Sequence, residues 1–375
     1  MRKFVYLCRL LALVLCLAAC DKQDEQDSSL ATRAFYMGVT PWPADFTAQA
    51  AVDAYRFVND HCDLISHHFD EGIPYEAVLK GLTLPEAFLK DVAFRKTSTP
   101  PGKTVLLSVA PLNSTRHEKA AYYAQEAPAK TVISHWNALA FNDPQMVDAY
   151  VNYVSFLIEQ LEPSFVNYGV ESNEMSWAPD KFAQYKDFLA KVYTRLKNRY
   201  PAIPFFVSFI VNDSPQSMAY ASELLASTDY VALSAYPYIF AKSSAGGNTD
   251  PALLPSDYFT RYINLAPNKP WGFAETGYAA ENLSIPALSI QRQGTAVWQQ
   301  QYLDKICQLC QDKGADFVVW FCHQDYNAGN ARLRSTGVYQ DIFGLWQDTG
   351  LKDETAKERP AYQVWLQWMQ KARKR

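Results

Sequence analysis

Eight short runs rich in β-branched and aromatic residues recur along the chain: FYMGVTPW, DLISHHF, KTVLLSVAPL, SFVNYGVE, PFFVSFIV, DYVALSAYPY, PWGFAETGY and DFVVWFCHQDY. Runs of this length that are apolar on both alternating sets of positions read as strands buried on two faces. The segments between them mostly carry the amphipathic spacing of helices, clearest in DPQMVDAYVNYVSFLIEQLE and PDKFAQYKDFLAKVYTRLKNRY, each opened by an Asp or Pro start signal. A third, TAVWQQQYLDKICQLCQDKG, is closed by Gly314. Eight strand-then-helix units imply a parallel sheet closed into a single-domain α/β fold, the (β/α)8 TIM barrel, spanning residues 35–375. An open doubly wound sheet would need a Gly-rich phosphate loop after its first strand, and none is there.

The N-terminus lies outside that pattern. MRKFVYLCRLLALVLCLAAC has a basic start and an apolar run ending in small residues, so residues 1–19 read as a secretory signal peptide. The last four, LAAC, resemble the lipobox of bacterial lipoproteins, which implies lipidation at Cys20 and a tether over residues 20–34 that includes the charged DKQDEQDSS. The expectation is an exported protein held at a membrane by lipid, periplasmic or on the cell surface. A net charge of -4 supplies no basic footprint for nucleic acid. Aromatic residues make up 14% of the chain, with 9 Trp and 23 Tyr, an excess that suits stacking on sugar faces. The CxxC of Cys307 and Cys310 falls on a helical pattern with Ile306 and Leu309 and reads as buried thiols rather than a metal or redox site.

In a barrel of this kind the chemistry sits where the strands end and the following loops converge. Those ends supply Trp42; His67, His68, Asp70 and Glu71; Asn113 and Arg116; Glu171, Asn173, Glu174 and Trp177; Asn212 and Asp213; Tyr236 and Tyr238; Glu275 and Tyr278; and Trp320, His323, Gln324 and Asp325. A face so rich in carboxylates, amides and aromatics suits a polyol. Glu174 and Glu275, on strands four and seven, can oppose one another across a cleft, as glycoside hydrolysis requires of its two carboxyls. Tyr236 is placed to donate to Glu275 and keep it ionised, and Asn173 to orient a substrate hydroxyl. Trp42, Trp177, Tyr278 and His323 complete the candidate sugar-binding set.

These motifs resemble clan A glycoside hydrolases, and VALSAYPY and WGFAETGY are most similar to motifs of the endo-β-1,4-galactanases of glycoside hydrolase family 53. The resemblance implies a retaining enzyme acting on a β-linked polysaccharide, galactan-like or an exopolysaccharide, with no cofactor and no metal. It implies Glu174 as acid/base, Glu275 as nucleophile, Tyr236 as its partner and Trp320 as a stacking platform, while Glu171 occupies the place of an inner glutamate. Members of the clan commonly carry an Arg at the end of strand two, where this chain has ISHHFDEG. Strand alternation sends His67 outward and leaves His68 to meet sugar, and it keeps the two from sharing a metal. Arg116 is a candidate substitute for the missing Arg. The departure also admits a catalytically inactive barrel that binds polysaccharide at the membrane surface. A Ser-His-Asp relay through His323 and Asp325 lacks its nucleophilic serine turn.

Overall fold

The computed structural model describes residues 32–124 and 130–374. The expected signal peptide over residues 1–19 and the expected lipidation site, Cys20, lie outside the described residues. Eight parallel strands close into a barrel: β1 (Tyr36–Val39), β2 (Leu64–Phe69), β3 (Thr104–Val109), β4 (Phe165–Gly169), β5 (Phe205–Ile210), β6 (Val231–Ala235), β7 (Trp271–Thr276) and β10 (Phe317–Trp320). Between the last two, β8 (Leu283–Ile285) and β9 (Ile290–Arg292) form a separate antiparallel hairpin. Because β10 pairs with both β7 and β1, the barrel has no open edge. The expected (β/α)8 barrel is present, with each expected strand in place.

Local chemistry explains the outer layer. Asp143 accepts from the Gln145 amide and Pro144 opens the helix Pro144–Leu161, while Gly314 ends the helix Ala296–Lys313 at φ 66°. Among the described residues no helix is long and apolar enough to cross a membrane. Arg33, read from sequence as tether, is already buried and pairs with Asp63 at 2.6 Å. Its amide donates to Ala372 and its carbonyl accepts from Lys374, so the two ends of the fold lie side by side.

The barrel interior is layered. Leu64, Leu106, Phe206, Ala232, Phe317 and Val319 form an apolar plug with Tyr230 and Ala274. One alternation step nearer the strand ends come Ser66, Ser108, Asn167, Ser208 and Ser234, all buried and small enough to leave room above the plug. Two irregularities then break strict alternation. On β7, Leu233 of β6 pairs with Phe273 but Ser234 pairs with Glu275, and Val318 and Trp320 of β10 span Phe273 to Thr276. The extra residue is a bulge that brings Glu275 beside Ser234 although Ala274 already faces the plug. A second bulge lies on β4, where Asn167 pairs with Phe206 and Gly169 with Val207. Each bulge comes just before a glutamate at the barrel mouth.

Candidate active site

A chain of alternating charges lines the mouth. The Tyr236 hydroxyl donates to Glu275 Oε1 at 2.6 Å, and Glu275 Oε2 lies 3.3 Å from His68 Nδ1. His68 Nε2 faces Asp70 at 3.7 Å, an ion-pair distance rather than a hydrogen bond. Both Asp70 oxygens are taken by the Arg116 guanidinium, at 3.0 and 2.8 Å, in a two-pronged pair. Arg116 Nε then donates to Glu171 Oε2 at 2.7 Å, and Ser234 donates to Glu171 Oε1 at 2.7 Å. Since Ser234 is the register partner of Glu275, the chain returns to β6 and β7 where it began. Arg116 and Glu171 both have left-handed backbones, at φ 61° and 54°, a strain that non-glycine residues accept where surrounding contacts hold them.

Electrostatics follow from this order. Burial alone would raise Glu275, but the His68 contact and charge, the Tyr236 hydroxyl and the Arg116 charge together hold its carboxyl below the usual range. Burial opposes a charged His68, yet Asp70 and Glu275 on its two sides outweigh that and raise it to about 10. Asp70 is lowered despite burial by the charge of Arg116 and by His68. The Tyr236 phenol is pushed well above its ordinary value by burial and by the neighbouring Glu275 charge, so it stays a donor. A carboxylate held ionised beside a fixed hydroxyl donor is suited to nucleophilic attack on a sugar carbon. With a fifth of its side chain exposed, Glu275 remains open to the mouth.

The other expected site residues are distributed differently. Glu174 lies outside the ring, three residues beyond Glu171, and its Oε1 accepts from the amide and hydroxyl of Ser176 in its own turn. Asn173 is fully buried: its amide group donates to Ile210 O, Ser217 O and Ser217 Oγ, and its oxygen accepts from the Ile210 amide at 2.7 Å. It ties the loop after β4 to β5 instead of facing a substrate. Asn173→Ala is expected to lower unfolding stability by about 2–3 kcal/mol, because it strands buried backbone groups. Urea denaturation checks this; unchanged stability with a raised KM would give Asn173 back to the substrate.

Trp320 has no exposed surface, since on β10 it alternates with inward Phe317 and Val319 and so faces the outer helix at Tyr302, donating to Thr349 O at 2.9 Å. The next residue, Phe321, is half-buried and meets Trp42 at a ring separation of 5.9 Å. Trp42 is itself half-buried, and Trp346, from the turn Asp341–Trp346, packs edge-on against Tyr236 at 5.8 Å. These three half-buried aromatics near the mouth have surface to offer, and Phe321 follows directly from the alternation around Trp320. Trp177 stacks on Tyr185 and Tyr278 on Tyr302, both buried. His323 packs against Phe57, where burial lowers it to about 4. His67 faces outward to Thr99, as alternation requires, and His68 inward. Glu281, Asp325 and Glu354 approach one another near the last strand's loop, but Arg359 already pairs with the first two.

No protein-family model matches the sequence, and no curated protein sequence matches it. Solved structures do resemble the fold. A GH5_18 protein from Streptomyces cattleya, crystallised with Manβ1-4GlcNAc, is 15% identical over 87% of this chain and 78% of its own, with a TM-score of 0.58. The GH53 catalytic domain from Ignisphaera aggregans is 16% identical over 92% of each chain, with a TM-score of 0.54. A fungal β-1,4-galactanase is 12% identical over 88% of this chain and 98% of its own, with a TM-score of 0.53. The barrel thus shares its fold with these GH5_18 and GH53 glycoside hydrolase structures.

Proposed function

We propose that the protein is a retaining glycoside hydrolase acting on a β-linked polysaccharide or oligosaccharide, held at a membrane through Cys20. The observation that carries this reading is Glu275, kept ionised by Tyr236 and His68 at the mouth of a barrel with the clan A fold. Glu275 is the nucleophile that forms the glycosyl-enzyme. For the acid/base we propose Glu171 in preference to Glu174, because Glu171 is bonded to the register partner of Glu275 whereas Glu174 is turned into its own loop. Glu171 donates a proton to the leaving oxygen, then accepts one from the water that releases the sugar. Phe321, Trp42 and Trp346 offer faces for sugar rings.

The experiment is reducing-end release by a soluble chain starting near Ser28, across β-galactans, β-mannans, β-glucans and bacterial exopolysaccharides, with Glu275→Gln as control. Release that vanishes in the control, with the β-anomer formed first by NMR, supports the reading; release of the α-anomer would sink retention. A second reading, a barrel that binds glycan without cleaving it, is favoured by one observation: Glu171 engages both oxygens, one with Arg116 and one with Ser234. Glycan binding without product, unchanged in Glu275→Gln, would select that reading.

A further inference from the structure

Glu275 lies against an imidazole, and the side chains behind that imidazole are arranged to hold it as a cation. His68 lies between two carboxylates, Glu275 from β7 on its Nδ1 side and Asp70 from the end of its own strand on its Nε2 side. A carboxylate on each side of the ring favours a positive charge between them, which only the doubly protonated imidazole supplies. Asp70 could rotate away from a contact as long as 3.7 Å, but Arg116 grips both of its oxygens from the loop after β3. On the backbone side, Arg95 donates to the His68 carbonyl at 2.8 Å and pairs with Asp91 and, more distantly, Glu71. Tyr236 is linked to His68 through Glu275, and Glu171 through Arg116 and Asp70.

We infer that Asp70 and Arg116 are positioning residues which fix His68 as an imidazolium against Glu275, so that a His-Asp-Arg relay does here the work of a single strand-two arginine. The inference rests on Glu275 being the nucleophile for its catalytic meaning, but the relay itself is observable without catalysis. An arginine cannot lose its proton in the working range and a histidine can. The relay therefore gives this site an alkaline limit that an arginine would not. In sign, a group raised above its ordinary 6.5 stabilises the fold fully below that value, and the contribution is lost as pH rises toward about 10.

The test is histidine-detected NMR on the soluble folded chain labelled with 15N-histidine. The His68 resonance, assigned by its loss in His68→Arg, is expected to titrate near pH 10, well above the ordinary 6.5. Asp70→Asn and Glu275→Gln are each expected to move that midpoint down by about one unit or more. A His68 midpoint near 6.5, or one that Asp70→Asn leaves in place, overturns the inference. The catalytic arm uses an aryl β-glycoside with a good leaving group. His68→Gln is expected to lower kcat/KM by about 10²-fold with an unchanged fold, while His68→Arg stays within about 10-fold of the parent. Equal activity and equal pH profiles in parent and His68→Gln would overturn the catalytic meaning. A high, Asp70-dependent midpoint in a protein that cleaves no glycoside would leave the relay standing and remove the hydrolase reading instead.

Discussion

Glu275→Gln is expected to lower kcat/KM by about 10⁴-fold or more on any glycan the protein cleaves, the scale on which catalytic nucleophiles fail when removed. The amide keeps the shape of the side chain and can still accept from Tyr236, so the fold and glycan affinity are expected to survive. What is lost is the negative charge that His68 and Tyr236 hold in place, and with it the covalent bond to the sugar. Intact-mass measurement with a slow 2-fluoro glycoside shows the difference directly. The parent gains the mass of one glycosyl group and Glu275→Gln does not. A labelled Glu275→Gln protein would assign the nucleophile to another carboxylate.

The second large effect separates Glu171 from Glu174. Glu171→Gln is expected to cost about 10²- to 10⁴-fold on natural linkages, where the leaving oxygen needs a proton, and little on aryl glycosides that leave unaided. Glu174→Gln is expected to stay within a few-fold of the parent on both, because its carboxylate serves a local turn with Ser176. Measuring both variants on both substrate classes gives a four-way pattern that stability changes cannot imitate. A leaving-group-dependent loss in Glu174→Gln, with Glu171→Gln near the parent, would return the proton donor to the Asn-Glu pair.

That pair shows where the sequence was informative and where it was not. The eight strands were legible because each is a short run dominated by β-branched, aromatic and other apolar residues, and Tyr236 and Glu275 because each sits one step from such a run's end. The positions of Glu171 and Glu174 depend on a bulge in β4 and a left-handed turn at Glu171, neither of which leaves a mark on hydrophobic periodicity. The Asn173-Glu174 dipeptide resembles a catalytic motif, yet the turn sends Asn173 inward to the backbone of β5. Trp320 is a different case: inward Phe317 and Val319 already assign it to the outer face, so alternation could have pointed to Phe321. The contact from His68 on β2 to Glu275 on β7 joins strands some two hundred positions apart, and only a closed barrel brings them together.

The pairing of Arg33 with the segment at Ala372 and Lys374 has an orientational consequence. Both ends of the fold leave from the pole where β1 begins, and the charged mouth opens at the opposite pole, where the strands end. An anchor attached through the residues before Thr32 would thus join the fold at the pole opposite the mouth, and a fusion partner placed at either end would leave the mouth clear.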